Sequence, residues 1–349
     1  MSSNPSLQLL ALLLIFSCTS QPVHPLETLR EVDALLKSLT PPPQQLTTVS
    51  DRPTTVKGAK GTLIHIDPDN LETTDGTPMG DTITATLIDL TTPSDLMLYQ
   101  APTVSDGLLL VSGGAYFLNL TTDGTPLQLK TNRALAVEFP RYSRQKMDLF
   151  TGQRDSMGQL NWTPTSQKFQ PKNLIKPQQP APQTNNTRRD DIEDILSYIN
   201  PEAPKLTEAQ KKAYETQIQQ YYMARKTYQA VELSQLGWIN CDRFYNNPAP
   251  KTTLHLLVNN DSITSARAYA IFKDFNGMMT THYSRAYPDT MSFEGLPVGQ
   301  SLQVVALSAK GKTALMFEQE IQLQPYQMIK LDFKPKDQTA IKAFFQTLN

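Results

Sequence analysis

What most constrains this chain is a period of two. Ile83, Ala85 and Leu87 alternate with Thr84, Thr86 and Ile88, and Tyr116, Leu118 and Leu120 form a second alternating set. Leu135, Val137 and Phe139 form a third. Successive side chains of a strand point to opposite faces, so each set reads as a half-buried strand rather than a helix. The hexapeptide Thr-Thr-Asp-Gly-Thr-Pro occurs twice, at residues 73–78 and 121–126. Its Asp-Gly pair suits a tight turn because glycine tolerates positive φ, so each copy is expected to join two strands. Short strands, frequent turns and no helical period between them predict an antiparallel sandwich over residues 57–163.

The alternation returns after Thr252. Leu254, Leu256 and Val258 make one set, Ala268, Ala270 and Phe272 another. Leu302, Val304 and Ala306 follow, then Ile329, Leu331 and Phe333. These predict a second sandwich of about seven strands over residues 249–335. Asp337 is expected to cap a final helix over 336–349, with Ile341, Phe344, Phe345 and Leu348 facing inward.

Between the sandwiches lie a Pro/Gln/Asn-rich linker over 164–205, with little to bury, and a helical segment in 206–248. Within the linker, Asp190 to Tyr198 reads as one small helix. Thr207 with Gln210 forms a capping box. Tyr214, Ile218, Tyr221, Tyr222, Arg225, Tyr228, Val231 and Leu236 mark a face of roughly seven turns, with Gly237 as its stop. The tyrosine stripe suits packing on a domain better than a ligand platform. The fold class is thus mainly β: two antiparallel β-sandwich domains joined by a Pro/Gln-rich linker and one long α-helix. The helix would hold the sandwiches in fixed relation.

The amino terminus sets the compartment. Leu7, Leu9 to Leu14, Ile15 and Phe16 form an apolar run. It is too short for a ~30 Å hydrocarbon core, but it suits the h-region of an export signal over 1–17. The n-region carries no Lys or Arg. Ser17-Cys18 at its end resembles the lipobox of bacterial lipoproteins. That resemblance implies cleavage before Cys18 and acylation of its sulfur, hence membrane attachment through the lipid. If Cys18 is acylated, Cys241, the second of two cysteines, has no disulfide partner, and the core must hold the chain together. Residues 18–56 read as a tether with a short amphipathic helix from about Leu26 to Leu39, carrying Leu29, Val32, Leu35 and Leu36 on one face. Pro41-Pro42-Pro43 ends it. Its mixed charges suit packing on its own domain, not an anionic bilayer.

Charge excludes other classes. Thirty-two Lys plus Arg stand against thirty-three Asp plus Glu, a net −1, which gives no field to draw in nucleic acid. Cys241 beside Asp242 and Arg243 invites a nucleophile or metal reading, since a thiolate wants a cation and a nearby base. Yet His24, His65, His255 and His282 lie in separate segments, and zinc's closely spaced Cys or His pairs are missing. Burial of Cys241 and Trp238, with a polar lock between Asp242 and Arg243, is the expectation. Asp67-Pro68-Asp69-Asn70-Leu71-Glu72 fails as an EF-hand, with Leu71 where an oxygen ligand and Glu72 where a glycine belong. It reads as an Asx-type turn. Ser112-Gly113-Gly114 lacks a nucleophile elbow's flanking glycine and reads as a bulge or a tight approach between strands. No phosphate-cradling or dinucleotide loop is present. No catalytic residue, metal ligand or cofactor is assigned.

The segment from Leu236 through Gly237, Trp238, Ile239, Asn240, Cys241, Asp242 and Arg243 to Phe244 resembles one in uncharacterised lipoproteins of Bacteroidota, where it follows a long helix and precedes a carboxy-terminal sandwich. Phe150-Thr151-Gly152 and Asn161-Trp162 match the same group. Gly61-Thr62-Leu63-Ile64, Gly80-Asp81-Thr82-Ile83, Ser112-Gly113-Gly114-Ala115-Tyr116 and Val137-Glu138-Phe139-Pro140 look like the sandwich domain of ankyrins and netrin receptors. Leu296-Pro297-Val298-Gly299 resembles transthyretin-like domains of carboxypeptidases. The resemblance implies a family without established chemistry. The leading expectation is a non-enzymatic envelope lipoprotein that binds another envelope protein. A surface carbohydrate-binding lipoprotein using Tyr283, Tyr287 and Phe293 is the alternative, and a hydrolase assembled from distant residues a third class. Surface lipoproteins of that group carry acidic residues after the acylated cysteine. Thr19-Ser20-Gln21-Pro22 departs from this, which favours the periplasmic face of the outer membrane.

Overall fold

A computed structural model describes residues 29–140, 145–171, 207–258, 263–284, 290–310 and 313–348. The export signal, Cys18, the 190–198 helix and Tyr287 lie outside them. The described chain is mainly β. Helix α1 (Arg30–Leu39) leads into strands β1 (Gln44–Val49), β2 (Thr54–Lys57), β3 (Leu63–Ile66), β4 (Leu71–Thr73) and β5 (Thr82–Leu90). After the short helix α2 (Pro93–Leu98) come β6 (Val104–Ser105), β7 (Leu108–Thr122), β8 (Thr125–Leu129) and β9 (Leu135–Pro140). Then follow β10 (Asp148–Arg154), β11 (Leu160–Lys168) and β12 (Gln170–Pro171), helix α3 (Glu208–Thr227), β13 (Tyr228–Leu233) and β14 (Gly237–Phe244). The last third holds β15 (Lys251–Val258), β16 (Ser265–Phe272), β17 (Met278–Ser284), β18 (Thr290–Pro297), β19 (Ser301–Lys310), β20 (Thr313–Gln322), β21 (Met328–Leu331), β22 (Lys334–Lys336) and helix α4 (Gln338–Thr347).

The first sandwich packs a nine-stranded sheet, whose main path runs β1-β5-β7-β14-β10-β11, against the five-stranded sheet β12-β13-β9-β3-β2. The alternating sets meet as expected: Ile83, Ala85, Leu87, Tyr116, Leu118, Leu120, Leu135, Val137 and Phe139 share one core with Ile64 and Ile66. The second sandwich sets β18-β15-β21 against β17-β16-β19-β20-β22 around Leu254, Leu256, Ala268, Ala270, Leu302, Val304, Ala306 and Leu331. One pairing departs from an antiparallel reading, because β15 and β21 run parallel.

The joint between the sandwiches differs from the expected one. Helix α3 ends at Thr227, not Gly237, and residues 228–233 form β13, paired with β9 on one side and β12 on the other. The carboxy-terminal end of α3 therefore runs into the first sandwich through β13. The run Tyr228-Gln229-Ala230-Val231-Glu232-Leu233 places apolar residues at both helical and strand spacing, and pairing with β9 decides the contest. The capping box is present, with Gln210 N–H to Thr207 Oγ1 at 3.2 Å and Thr207 N–H to Gln210 Oε1 at 3.0 Å. Of the tyrosine stripe, Tyr214 and Ile218 are half-buried, and the side chains of 219–230 lie outside the described part.

A third core joins the sandwiches instead. Leu29, Val32 and Leu36 of the α1 segment, Leu90 of β5, Phe150 of β10 and Trp162 of β11 meet Tyr269 and Ile271 of β16, Val305 and Leu307 of β19, and Ile341 and Phe345 of α4. All eight residues of β16 are buried: one face enters the second sandwich, the other this joint. An apolar joint of this kind holds two domains as one body. Helix α1 is its wedge, and Arg267 of β16 pins it. The guanidinium, 1% exposed, donates from Nε to Asp33 Oδ1 at 2.6 Å and from Nη2 to Asp33 Oδ2 at 3.1 Å and Met157 O at 3.1 Å. At the end of the chain Asp337 caps α4 as expected, accepting from Ala340 N–H at 2.7 Å.

Candidate functional site

Two places carry the residues singled out in the sequence: strand β14, and a cleft beside the repeated hexapeptide. Gly237 opens β14 at φ +113, so its positive φ starts a strand rather than stopping a helix. β14 is an inner strand of the nine-stranded sheet, paired with β7 and β10. Alternation sends Ile239 and Cys241 into the first core, and both are buried. Trp238 and Phe244 take the opposite face, where they pack against the joint. Trp238 is half-buried under the Arg154 guanidinium, 5.1 Å from its ring, with Phe117 at 5.1 Å and Tyr99 at 6.4 Å. Burial pulls Arg154 below its ordinary pKa.

Asp242 is fully buried, but its partner is not Arg243. Neighbours along a strand point to opposite faces, so an Asp242–Arg243 lock is geometrically excluded. Asp242 instead accepts from Asn240 Nδ2 at 2.7 Å, two residues back on the same face, with the Ser112 hydroxyl and Gly113 N–H also beside it. Burial pushes its carboxyl up to about 8, against those three donors. Half-buried Arg243 donates to Phe244 O at 3.3 Å. The register of β14 on β7 slips between Asn240 and Asp242, so Ser112-Gly113-Gly114 is both a bulge and a close approach. A Cβ on Gly113 would lie 2.7 Å from Cys241 O. Gly113→Ala is expected to cost about 1–3 kcal/mol by forcing those strands apart, read as a lowered denaturant midpoint.

These groups do not form a catalytic set. His65 sits on β3 between Thr55 Oγ1 at 2.9 Å and Glu138 Oε1 at 3.0 Å, and His255 on β15 meets Ser292 Oγ at 3.0 Å. His282 on β17 is held below its ordinary pKa by burial and by Arg267. Among the described residues no three His, Cys, Asp or Glu are grouped to hold a metal ion. Tyr283 and Phe293, offered above as a sugar platform, are 5% and 1% exposed and belong to the second core. That assignment is corrected: both alternate inward on their strands.

The cleft lies beside the first sandwich's turns, offers about 660 Å³ open to solvent, and is lined in part by the first copy of the repeat. The two hexapeptide copies fold differently. In the second, Asp123 and Gly124 take φ +47 and +83 and close a two-residue hairpin, with Thr122 opposite Thr125. In the first, no hairpin forms, because β5 pairs with β1 and β7 rather than β4. Asp75 there accepts from Thr77 Oγ1 at 2.7 Å and Thr77 N–H at 3.1 Å, which holds its carboxyl below the usual range. The copies lie side by side, with Thr73 opposite Leu127 and Thr74 N–H donating to Pro126 O at 3.0 Å.

Thr73, Thr74, Gly76 and Thr77 of the first copy line one wall. The expected Asx turn supplies another: Asp67 Oδ1 accepts from Asp69 N–H at 3.1 Å and caps the single turn Pro68–Asn70, which sets Asp69 and Glu72 at the rim. Gln128 of β8 and Lys130 just beyond its end complete the lining. Gln128 Nε2 donates to Glu72 Oε1 at 3.0 Å, and Lys130 Nζ donates to Asp69 O at 3.0 Å. Leu71 and Met79 contribute the apolar lining. Gln128 and Lys130 were missed in the sequence. Their only signal is strand pairing 56 residues or more from their partners, which no local pattern reveals.

Comparison with known proteins finds no matching family model, no matching curated protein and no matching solved structure. The class follows from the fold alone: a mainly β protein of two sandwiches, with a polar cleft beside the first hexapeptide copy.

Proposed function

We propose that this chain is a non-enzymatic protein-binding or structural module of the bacterial cell envelope, held by lipid on Cys18 to the periplasmic face of the outer membrane. One observation carries the reading: α1, which begins twelve residues after Cys18, is wedged into the joint by Asp33 and Arg267. An anchor at Cys18 would thereby hold the membrane close to the joint between the two sandwiches. No helix among the described residues is long and apolar enough to cross a membrane, so attachment is assigned to the lipid. Membership in the Bacteroidota lipoprotein group belongs to the same proposal, and so does an envelope protein partner.

The deciding measurement is mass spectrometry of the amino-terminal peptide from a bacterial host, beside fractionation of wild type and Cys18→Ala. A diacylglyceryl Cys18 and release of the variant into the soluble fraction are expected. An unmodified, uncleaved start would overturn the reading.

A further inference from the structure

We propose that the cleft between the first hexapeptide copy and the β8 edge binds a neutral saccharide through its hydroxyl groups. The inference goes beyond the protein-binding reading above and takes from it only that the site is not catalytic.

The chemistry of the wall selects the ligand. Internal hydrogen bonds use up part of each side chain and leave a specific remainder. Gln128 Nε2 is spent on Glu72 Oε1, which leaves the Gln128 carbonyl and the second Glu72 oxygen facing solvent as acceptors. Lys130 reaches the Asp69 backbone carbonyl, so its ammonium is pinned beside Asp69 with two further protons to give. Thr74 adds an exposed hydroxyl. Acceptors on one side and a fixed donor on the other match vicinal hydroxyls, each of which donates once and accepts as well.

Size and charge narrow the class further. About 660 Å³ is the range of small-molecule sites and holds one or two sugar rings. Two carboxylates against one ammonium disfavour a phosphate or an acidic sugar, while Lys130 disfavours an amine. Leu71 and Met79 offer aliphatic contact for the C–H face of a ring. The identical hexapeptide at 121–126 acts as a built-in comparison: there it closes a hairpin, so the cleft follows from the open turn of the first copy and not from composition.

The test uses the whole mature chain on an array of neutral oligosaccharides, with the best glycan then titrated by calorimetry. Binding is expected, with a loss of about tenfold or more in Asp69→Asn/Glu72→Gln and in Lys130→Met, since charged hydrogen bonds are removed. Thermal unfolding should be unchanged, because all three side chains are exposed. Absence of binding at millimolar neutral glycan, or binding indifferent to these substitutions, would overturn the proposal. So would binding of calcium alone that the same variants abolish. Glycan recovered after incubation is analysed for cleavage. Cleaved product with variant-sensitive binding supports the site and overturns the non-enzymatic reading, whereas an intact but unbound glycan overturns only the site.

Discussion

Asp33→Ala is expected to destabilise the folded chain by about 3–5 kcal/mol, the usual consequence of stripping a buried charge of its partner. Arg267 is 1% exposed, so removing the carboxylate leaves its guanidinium buried without its ionic partner. Of the three hydrogen bonds described above, only the one to Met157 O then remains. The complementary double variant separates stability from specificity. Asp33→Leu with Arg267→Met fills the same space with apolar groups, and is expected to unfold at or above the wild-type midpoint. Guanidinium titration of the three proteins checks both. A single variant within about 0.5 kcal/mol of wild type, the range of ordinary surface substitutions, would show that α1 is not pinned through this pair. Since α1 is the wedge of the joint, the single variant should also separate the sandwiches, seen as two transitions where wild type gives one.

Asp242 makes the second prediction, and its sign opposes the usual behaviour of carboxylates. Its folded-state value of about 8 stands above the unfolded 3.8, so the folded chain binds the proton more tightly. The stability from this group is fully present below about pH 3.8, falls as pH rises through the window, and is gone above about 8. Asp242→Asn keeps the shape without the ionisation, and an amide flip at Asn240 restores their mutual hydrogen bond. The variant is expected to gain on wild type by a few kcal/mol between pH 5 and 9, because folding no longer has to protonate a carboxylate or, near pH 9, bury its charge. Denaturation midpoints at pH 5, 7 and 9 check it. A difference between the two proteins that does not change with pH would mean that Asp242 is already ionised, held by Asn240, Ser112 and Gly113.

Both predictions concern residues whose importance is invisible locally. Asp242 stands in a segment that the sequence singles out, yet its partner was misassigned to Arg243 because adjacency in sequence suggested contact. A strand reverses that logic: Asn240 and Ser112 reach it, and Arg243 cannot. Arg267 carried no signal at all. The alternation of Ala268, Ala270 and Phe272 hid the fact that Arg267, Tyr269 and Ile271 are buried as well, on the other face. A continuous apolar run is the mark of a strand covered on both sides, and Ala-Tyr-Ala-Ile-Phe is such a run. What conceals it is the arginine at its start, tolerated only because Asp33 lies 234 positions away in the chain.

The period of two, the hairpin at Asp123-Gly124 and the caps at Thr207 and Asp337 are local properties, and they determined that this chain is mainly β and how two of its helices begin, but not that β1, β2 and β12 to β14 join the first sandwich's sheets. Tertiary pairing decided the rest. It converted residues 228–233 from helix to strand, placed β14 inside the first sheet, and gave two copies of one hexapeptide different folds. It also wedged α1 into the joint between the sandwiches, and closed the cleft with Gln128 and Lys130. The reason is physical: side-chain alternation is set by a residue's immediate neighbours, whereas burial of a second face depends on what the rest of the chain brings against it.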